Sequence, residues 1–254
     1  ITEGLSSGRL KYAVLDPRFS KAAAHAWKWV PAVPGRDTAV AMGMMRWIIE
    51  NKRFDAKYLA CANKGAAKAA GEPTWSNATW LVKLADGKPT VFLRAHEAGF
   101  GREMLEKNGK TYLNEKFVVV KDGQPVEVDP NSEKEPVTGD LFFEGEVAGI
   151  KVKSVLQLLY NEVKAKTIEE WAKEAGVKGS DIEDLAKEFT SHGKKAVVDI
   201  HRGVSQHTAG FYNVLAWNTL NLLNGNYDWR GGFIAKSEYA HNGGKPGQPF
   251  KISD

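Results

Sequence analysis

Short apolar runs that stop abruptly at turn-forming residues alternate along this chain with stretches in which apolar residues recur every three or four positions. Lys11-Tyr-Ala-Val-Leu15, ended by Asp16-Pro17, reads as a buried strand of a parallel sheet, because proline cannot continue it. After Ser20 a helical stretch containing Trp27 and Trp29 is expected, followed by the turn Pro31-Ala-Val-Pro-Gly-Arg-Asp37, whose acid is placed to N-cap the next segment. From Thr38 to Asn51 the pattern is helical: Val40, Met44, Trp47 and Ile48 fall at i, i+4, i+7 and i+8, one apolar face.

The middle reads differently. Over about residues 86–150, glycines, prolines and alternating apolar residues such as Val91-Phe-Leu93 and Phe117-Val-Val-Val120 predict short strands and loops in a β-rich insertion. Two capping boxes come next, Thr167-Ile-Glu-Glu170 and Ser180-Asp-Ile-Glu183, in which a hydroxyl and a carboxylate satisfy backbone donors at a helix start. Ala196-Val-Val-Asp-Ile200 is a second buried-strand candidate. It leads through the polar loop 201–210 into a helix that ends near Asn224-Gly225. With no internal repeat, this alternation predicts an α/β fold: a largely parallel, Rossmann-like sheet with flanking helices, one domain over 1–254 carrying the insertion at 86–150.

Charge narrows the function classes. Lys and Arg number 35 against 31 Asp and Glu, a net +4 spread along the sequence rather than clustered, so no polyanion-binding surface is indicated and no nucleic-acid partner is expected. The single cysteine, Cys61, excludes a disulfide framework or a thiolate-rich metal site built from this chain alone, and reads as a small buried residue. The six histidines have no partner at metal-site spacing, so no metal ligand is assigned. Nothing approaches the roughly 20 apolar residues of a membrane span, so direct membrane insertion is not expected. The opening Ile-Thr-Glu-Gly, without an initiating Met, and the ending Gln248-Pro-Phe-Lys-Ile-Ser-Asp254 suggest a piece of a longer polypeptide.

In open parallel sheets ligands bind beyond the carboxyl ends of strands, and three segments point there. Asp16 with Arg18 offers a carboxylate for ribose hydroxyls or a base edge beside a guanidinium for phosphate; the same pair also makes an ordinary Asp-Pro turn with a surface arginine. Pro34-Gly35-Arg36-Asp37 delivers an acid to a helix start, to cap it or to accept the paired N–H donors of a guanine. In His201-Arg-Gly-Val-Ser-Gln-His-Thr208, Gly203 permits close backbone approach while Ser205, Gln206, His207 and Thr208 offer polar groups before a helix; a solvated connector is the plain alternative. His201 and Arg202, where strand gives way to loop, are the candidates for contact with substrate or cofactor. There is neither a P-loop nor a G-x-G-x-x-G, so ordinary ATPase and NAD readings lack their central element.

Taken in order, Leu15-Asp-Pro-Arg-Phe-Ser20, Trp29-Val-Pro-Ala-Val-Pro-Gly-Arg-Asp37, Trp47-Ile-Ile-Glu50 and Phe54-Asp-Ala-Lys-Tyr-Leu59 resemble the dimethyl-sulfoxide-reductase family of molybdopterin enzymes. Gly203-Val-Ser-Gln206, Leu222-Leu-Asn-Gly-Asn226 and Arg230-Gly-Gly-Phe233 are similar to the closing part of the same domain. Asn77-Ala-Thr-Trp-Leu81, the insertion and Tyr239 onward look most like the tetrathionate-reducing branch, with polysulfide, thiosulfate and arsenate reductases as further relatives. Arg36 stands where many members have Thr, which leaves Asp37 in place.

The resemblance implies a bis(molybdopterin guanine dinucleotide) molybdenum cofactor in the full subunit, with Asp16, Arg18, Pro34, Gly35 and Asp37 toward a guanosine end and Gly203, Ser205, Gln206 and His207 toward phosphates or pterin. It implies a 4Fe-4S cluster and a molybdenum-ligating cysteine in the family's preceding segments, so Cys61 inherits neither role and no cofactor is expected on the isolated chain, which should be inactive alone. It further implies a small sulfur-oxyanion substrate, with tetrathionate cleaved to two thiosulfates in anaerobic respiration. The implied partners are an iron-sulfur electron-transfer subunit, with a membrane quinol-oxidising subunit beside it, and twin-arginine export would bring the enzyme to the periplasm or outer face of the cytoplasmic membrane. The rival from another class is a non-catalytic nucleotide-binding or interaction module.

Overall fold

A computed structural model of the chain describes residues 2–200 and 202–234. In chain order the elements are α1 (Thr2–Ser6), β1 (Ala13–Leu15), α2 (Lys21–His25), β2 (Lys28–Val30), α3 (Asp37–Glu50), α4 (Ala56–Ala60), α5 (Lys64–Ala70), β3 (Leu81–Ala85), β4 (Lys88–Phe92), β5 (Met104–Lys107), β6 (Lys110–Leu113), β7 (Phe117–Lys121), β8 (Gln124–Val128), β9 (Glu144–Val147) and β10 (Ile150–Ser154). The order closes with α6 (Val155–Val163), α7 (Ile168–Ala175), α8 (Gly179–Ser191), α9 (Arg202–Ser205) and α10 (Gly210–Leu223).

The helical core is built around α3. Val40, Met44, Met45, Ile48 and Ile49 are all buried, and α6, α7, α8 and α10 pack against the helix that carries them. Gly43 allows the close approach: a Cβ there would lie 3.0 Å from Ile182 on α8 and 3.4 Å from the Trp171 Cβ on α7. The Thr167 capping box forms as expected, with Glu170 N–H donating to the Thr167 hydroxyl (3.1 Å) and Thr167 N–H to the Glu170 carboxylate (2.7 Å). The second box is displaced. α8 begins at Gly179, and the returning carboxylate belongs to Asp181, which accepts from Lys178 N–H at 3.4 Å.

Residues 81–154 form an all-antiparallel unit with its own small apolar clusters. A four-stranded sheet runs β4-β3-β10-β9, and β5/β6 and β7/β8 are separate hairpins. Two-residue turns with both φ positive, such as Asn108 (53°) with Gly109 (69°) and Asp122 (51°) with Gly123 (76°), have the hand that matches strand twist. The unit is rooted by β3, just before the 86–150 interval, and β10, which begins at its last residue, and its centre stacks Trp80 on Phe117 (4.0 Å) and Trp75 (5.3 Å).

Three expectations need correction. Among the described residues β1 and β2 are the only strands that pair in parallel, beside one isolated parallel bridge between Tyr227 and Phe233, so the largely parallel, Rossmann-like sheet is not what they form. The stretch after Ser20 is helical only through His25; Lys28-Trp29-Val30 is strand, its alternation ended by Pro31, and Trp29 donates its indole N–H to the Asp16 carbonyl at 2.7 Å. Residues 196–200 are extended, with alternate residues turned inward, but join no sheet. A side chain replaces the neighbouring strand: the Asn221 amide accepts from Val198 N–H and donates to Val198 C=O, both at 2.9 Å. That pair satisfies both backbone groups of Val198 without a ladder.

Candidate functional site

Because β1 and β2 run parallel, their carboxyl ends lie together, and Asp16 N–H donates to Val30 C=O at 3.3 Å. Asp16 uses Oδ1 to accept from Arg18 N–H at 2.7 Å, the local turn that the Asp-Pro sequence favours. The Arg18 guanidinium is exposed beside Phe19, which packs edge-on against Trp29 at 4.9 Å. From Val30 the chain passes directly into the second segment. There Arg36 N–H donates to Val33 C=O at 3.0 Å, closing a tight turn with Pro34 at its second position and Gly35, at φ +76°, at the left-handed third.

Asp37 is the first residue of α3 rather than its cap. Arg36 occupies the cap position and makes no side-chain capping bond. The Asp37 carboxylate is half-buried at the positive end of a 14-residue helix and makes no hydrogen bond or ion pair with the described residues. Arg36, exposed next to it, lies 3.7 Å from Glu174.

The third segment is the short helix α9 and the bend after it. Gly203, Ser205 and Gln206 are exposed, and nothing lies within 4 Å of where a Gly203 Cβ would stand. His207 is half-buried, its Nδ1 accepting from Ala209 N–H at 3.3 Å. Arg202 opens α9, while His201 lies outside the described residues. Asn213 ties this segment to the second one: its Oδ1 accepts from the Thr38 hydroxyl at 2.9 Å, and its Nδ2 donates to Val204 C=O at 2.9 Å. Asp16 and Arg18 join the turn through β1 and β2, but among the described residues no hydrogen bond or ion pair links either to the 203–207 loop.

Sequence reasoning missed two features. The inward face of α10 is polar as well as apolar, carrying Asn213, Trp217 and Asn221 at successive turns, with Asn224 at its C-cap. The Asn224 amide donates to the carbonyls of Gly193 (2.6 Å) and Ala196 (3.2 Å). The other feature is Lys194. Its ammonium lies 2.9 Å from Asp55 and 2.7 Å from the nearly buried Glu72, donates to Gly225 C=O, and sits over the rings of Tyr58 and Trp229. An N-G-N run rich in amides was the available signal for the first; nothing in the spacing of Lys194 announced the second.

Cys61 closes α4, is 1% exposed, and burial followed by the charge of Glu72 raises its thiol pKa. Its sulfur points at the Lys57 carbonyl, 3.2 Å away. The thiol should therefore resist alkylation by iodoacetamide at neutral pH in the native chain and react only after denaturation. Rapid native modification at one equivalent would contradict this burial. No group of three or more potential ligands gathers at a metal-binding distance among the described residues.

No protein-family model matches the chain. It is 48% identical over 256 residues to a selenate reductase subunit of Mesobacillus selenatarsenatis, an alignment that takes in 100% of this chain and 23% of that protein. It is 33% identical to a tetrathionate reductase subunit of Salmonella typhimurium, with 98% of this chain and 24% of the relative aligned, and 31% identical to the tetrathionate reductase subunit of the same name from Archaeoglobus fulgidus, with 95% and 20%. The chain belongs to the molybdopterin-family reductase subunits. It spans between 20% and 24% of the length of these relatives, and its identity is higher to the selenate than to the tetrathionate subunits. Membership makes an oxidoreductase subunit the frame for the three segments.

Proposed function

We propose that this chain is the part of a molybdenum reductase subunit that holds one nucleotide end of a bis(molybdopterin guanine dinucleotide) cofactor. The observation that carries the reading is Asp37: an acid at a helix start, next to Arg36, with no hydrogen bond or ion pair among the described residues. Such a carboxylate suits the two N–H donors on one edge of guanine, and Arg18 and Arg36 suit phosphate. Asp16, with Oδ1 engaged by Arg18 N–H, has Oδ2 for a ribose hydroxyl. Gly35 and Gly203 leave open space where a Cβ would stand, so backbone can approach a ligand closely. Ser205, Gln206 and His207, with Arg202 and His201 before them, fall to the phosphate or pterin side.

When bound, the molybdenum centre supplies two-electron chemistry; this chain's residues bind and orient the cofactor that carries it. For the whole subunit the substrate class is a chalcogen oxyanion. Tetrathionate, taking two electrons across its central S–S bond to give two thiosulfates, is one reading. Selenate is the second, favoured by the 48% identity to a selenate reductase subunit. A 4Fe-4S cluster elsewhere in the subunit, an iron-sulfur electron-transfer partner, a membrane quinol-oxidising partner and twin-arginine export complete the proposal. No helix among the described residues is long and apolar enough to cross a membrane. α10 is apolar on its outer side as well, with Phe211 71% and Tyr212 72% exposed, which suits a segment covered by further polypeptide.

The test uses the full-length subunit. Asp37→Asn keeps the helix start but turns an acceptor into a group that presents its own donor, and should weaken retention of guanine nucleotide about ten- to a hundredfold, as for a lost charged hydrogen bond of about 1.5–3 kcal/mol. Unchanged guanine and molybdenum content in Asp37→Asn would sink the reading. Turnover assayed with tetrathionate and selenate in parallel decides the substrate.

A further inference from the structure

Asn213 is fully buried, yet it belongs to neither of the segments that it touches. Its carboxamide oxygen takes the Thr38 hydroxyl (2.9 Å), one residue after Asp37, and its nitrogen reaches Val204 C=O (2.9 Å), between Gly203 and Ser205; that nitrogen is also 3.4 Å from His207 Nε2. We propose that Asn213 is a positioning residue that holds the 34–38 turn and the 203–207 loop in one register, so that a single cofactor meets both. The proposal rests on the cofactor-holding reading above.

The residue type fits the task. An uncharged amide accepts from a hydroxyl through its oxygen while donating to a carbonyl through its nitrogen, two atoms set apart to face two partners. Aspartate in its place keeps the Thr38 bond, loses the donor to Val204, and sets a negative charge against that carbonyl. Leucine of similar size satisfies neither partner, and buried polar groups left unpaired are costly. Asn221 on α10 and Asn224 at its C-cap also bind backbone, but each serves the stretch 193–198. Asn213 alone among these three bridges two segments that are far apart in sequence and both face the proposed cofactor. A merely structural asparagine would stabilise α10 without making either segment depend on the other.

The experiment takes the full-length subunit with Asn213→Asp, Thr38→Val and the double variant, reading hydrogen exchange of residues 34–40 and 203–210 together with guanine nucleotide retained per molybdenum. Each single variant should speed exchange in both segments, including the 203–210 loop in Thr38→Val, where the loop itself is untouched. Nucleotide retention should weaken about tenfold, the change that about 1.4 kcal/mol brings. The double variant should be no worse than Asn213→Asp, because the two changes break one chain of bonds. Exchange that rises in one segment only, or effects that simply add, would overturn the proposal. So would full nucleotide retention in Asn213→Asp; if Asp37→Asn retains it as well, the failure lies in the cofactor reading itself. Should Asn213→Asp not fold, Thr38→Val carries the test alone, since it removes one partly exposed hydroxyl bond.

Discussion

Lys194→Met should lower the melting temperature by about 6–12 °C, the consequence of losing about 3 kcal/mol in a chain of this size. The substitution keeps the length of the side chain and removes its charge. It leaves the Asp55 and Glu72 carboxylates without the ammonium that lies between them at 2.9 and 2.7 Å, and the Glu72 side chain is only 5% exposed. It also removes the donor to Gly225 C=O and the cation over Tyr58 and Trp229. These groups come from the α4 start, the residue after the α5 cap, the α10 end and the glycine turn beyond it. One charge therefore fastens the α4–α5 stretch to the end of α10. Adding Glu72→Gln to Lys194→Met should recover a substantial part of the loss, since the repulsion is then relieved. Melting of the single variant within about 2 °C of the parent, a shift worth under about 1 kcal/mol, or a double variant that is still less stable, would show that the pairs contribute little.

Local signals explain what could be read from the sequence. The α3 face, the Thr167 box and the helix ending at Asn224-Gly225 are set by residues within a turn or two of each other, and the structure has each of them. The hairpins were signalled too: Asp86-Gly87, Asn108-Gly109 and Asp122-Gly123 are two-residue turn sequences between alternating runs. What could not be read depends on distant partners. Residues 196–200 have the alternation of a strand, but the Val198 backbone bonds to the Asn221 amide and the Ala196 carbonyl accepts from the amides of Asn224 and Asn226. An apolar pattern reports which face is buried and not what covers the backbone. Trp29 reads as helical beside Trp27 until the pairing of Val14 with Trp29 supplies β1 as a neighbour.

The candidate site was legible in the same uneven way. Turn chemistry placed Asp16 and the Pro34–Gly35 turn correctly, because proline and glycine fix the backbone whatever surrounds them. It misplaced Asp37 by one position, and the difference matters. A capping carboxylate is occupied by backbone N–H groups, whereas the first helical residue keeps its carboxylate for something outside the helix. The amide-rich end of α10 hinted at a polar inner face, but neither the bridge that Asn213 makes nor the role of Lys194 could be read locally, since each works through residues more than a hundred positions away as well as near ones.

Gly210→Ala should be the most damaging single-methyl change at the site. The sequence singles out Gly203 as the glycine of this loop, but the structure puts the steric demand at Gly210. A Cβ there would overlap the carbonyl group of Ser205, whereas one at Gly203 meets nothing within 4 Å. The obstacle is backbone, so no side chain can swing aside, and α9 and α10 must move apart. Forcing an extra methyl into such a contact costs about 1–3 kcal/mol. The displacement falls on the 203–207 loop, where Asn213 reaches Val204 C=O at 2.9 Å and Gly210 N–H donates to His207 C=O at 2.8 Å. In the full-length subunit Gly210→Ala should therefore lose both stability and guanine nucleotide. Gly203→Ala should keep its melting temperature, because alanine suits a helical turn with open space around it. Its nucleotide retention should nevertheless fall, because the methyl stands where the cofactor is placed. If Gly210→Ala melts with the parent and keeps its nucleotide, the α9–α10 junction is not the rigid support that this geometry describes. If Gly203→Ala keeps its nucleotide while Gly210→Ala loses it, the loop matters for its shape and the ligand does not pass over Gly203.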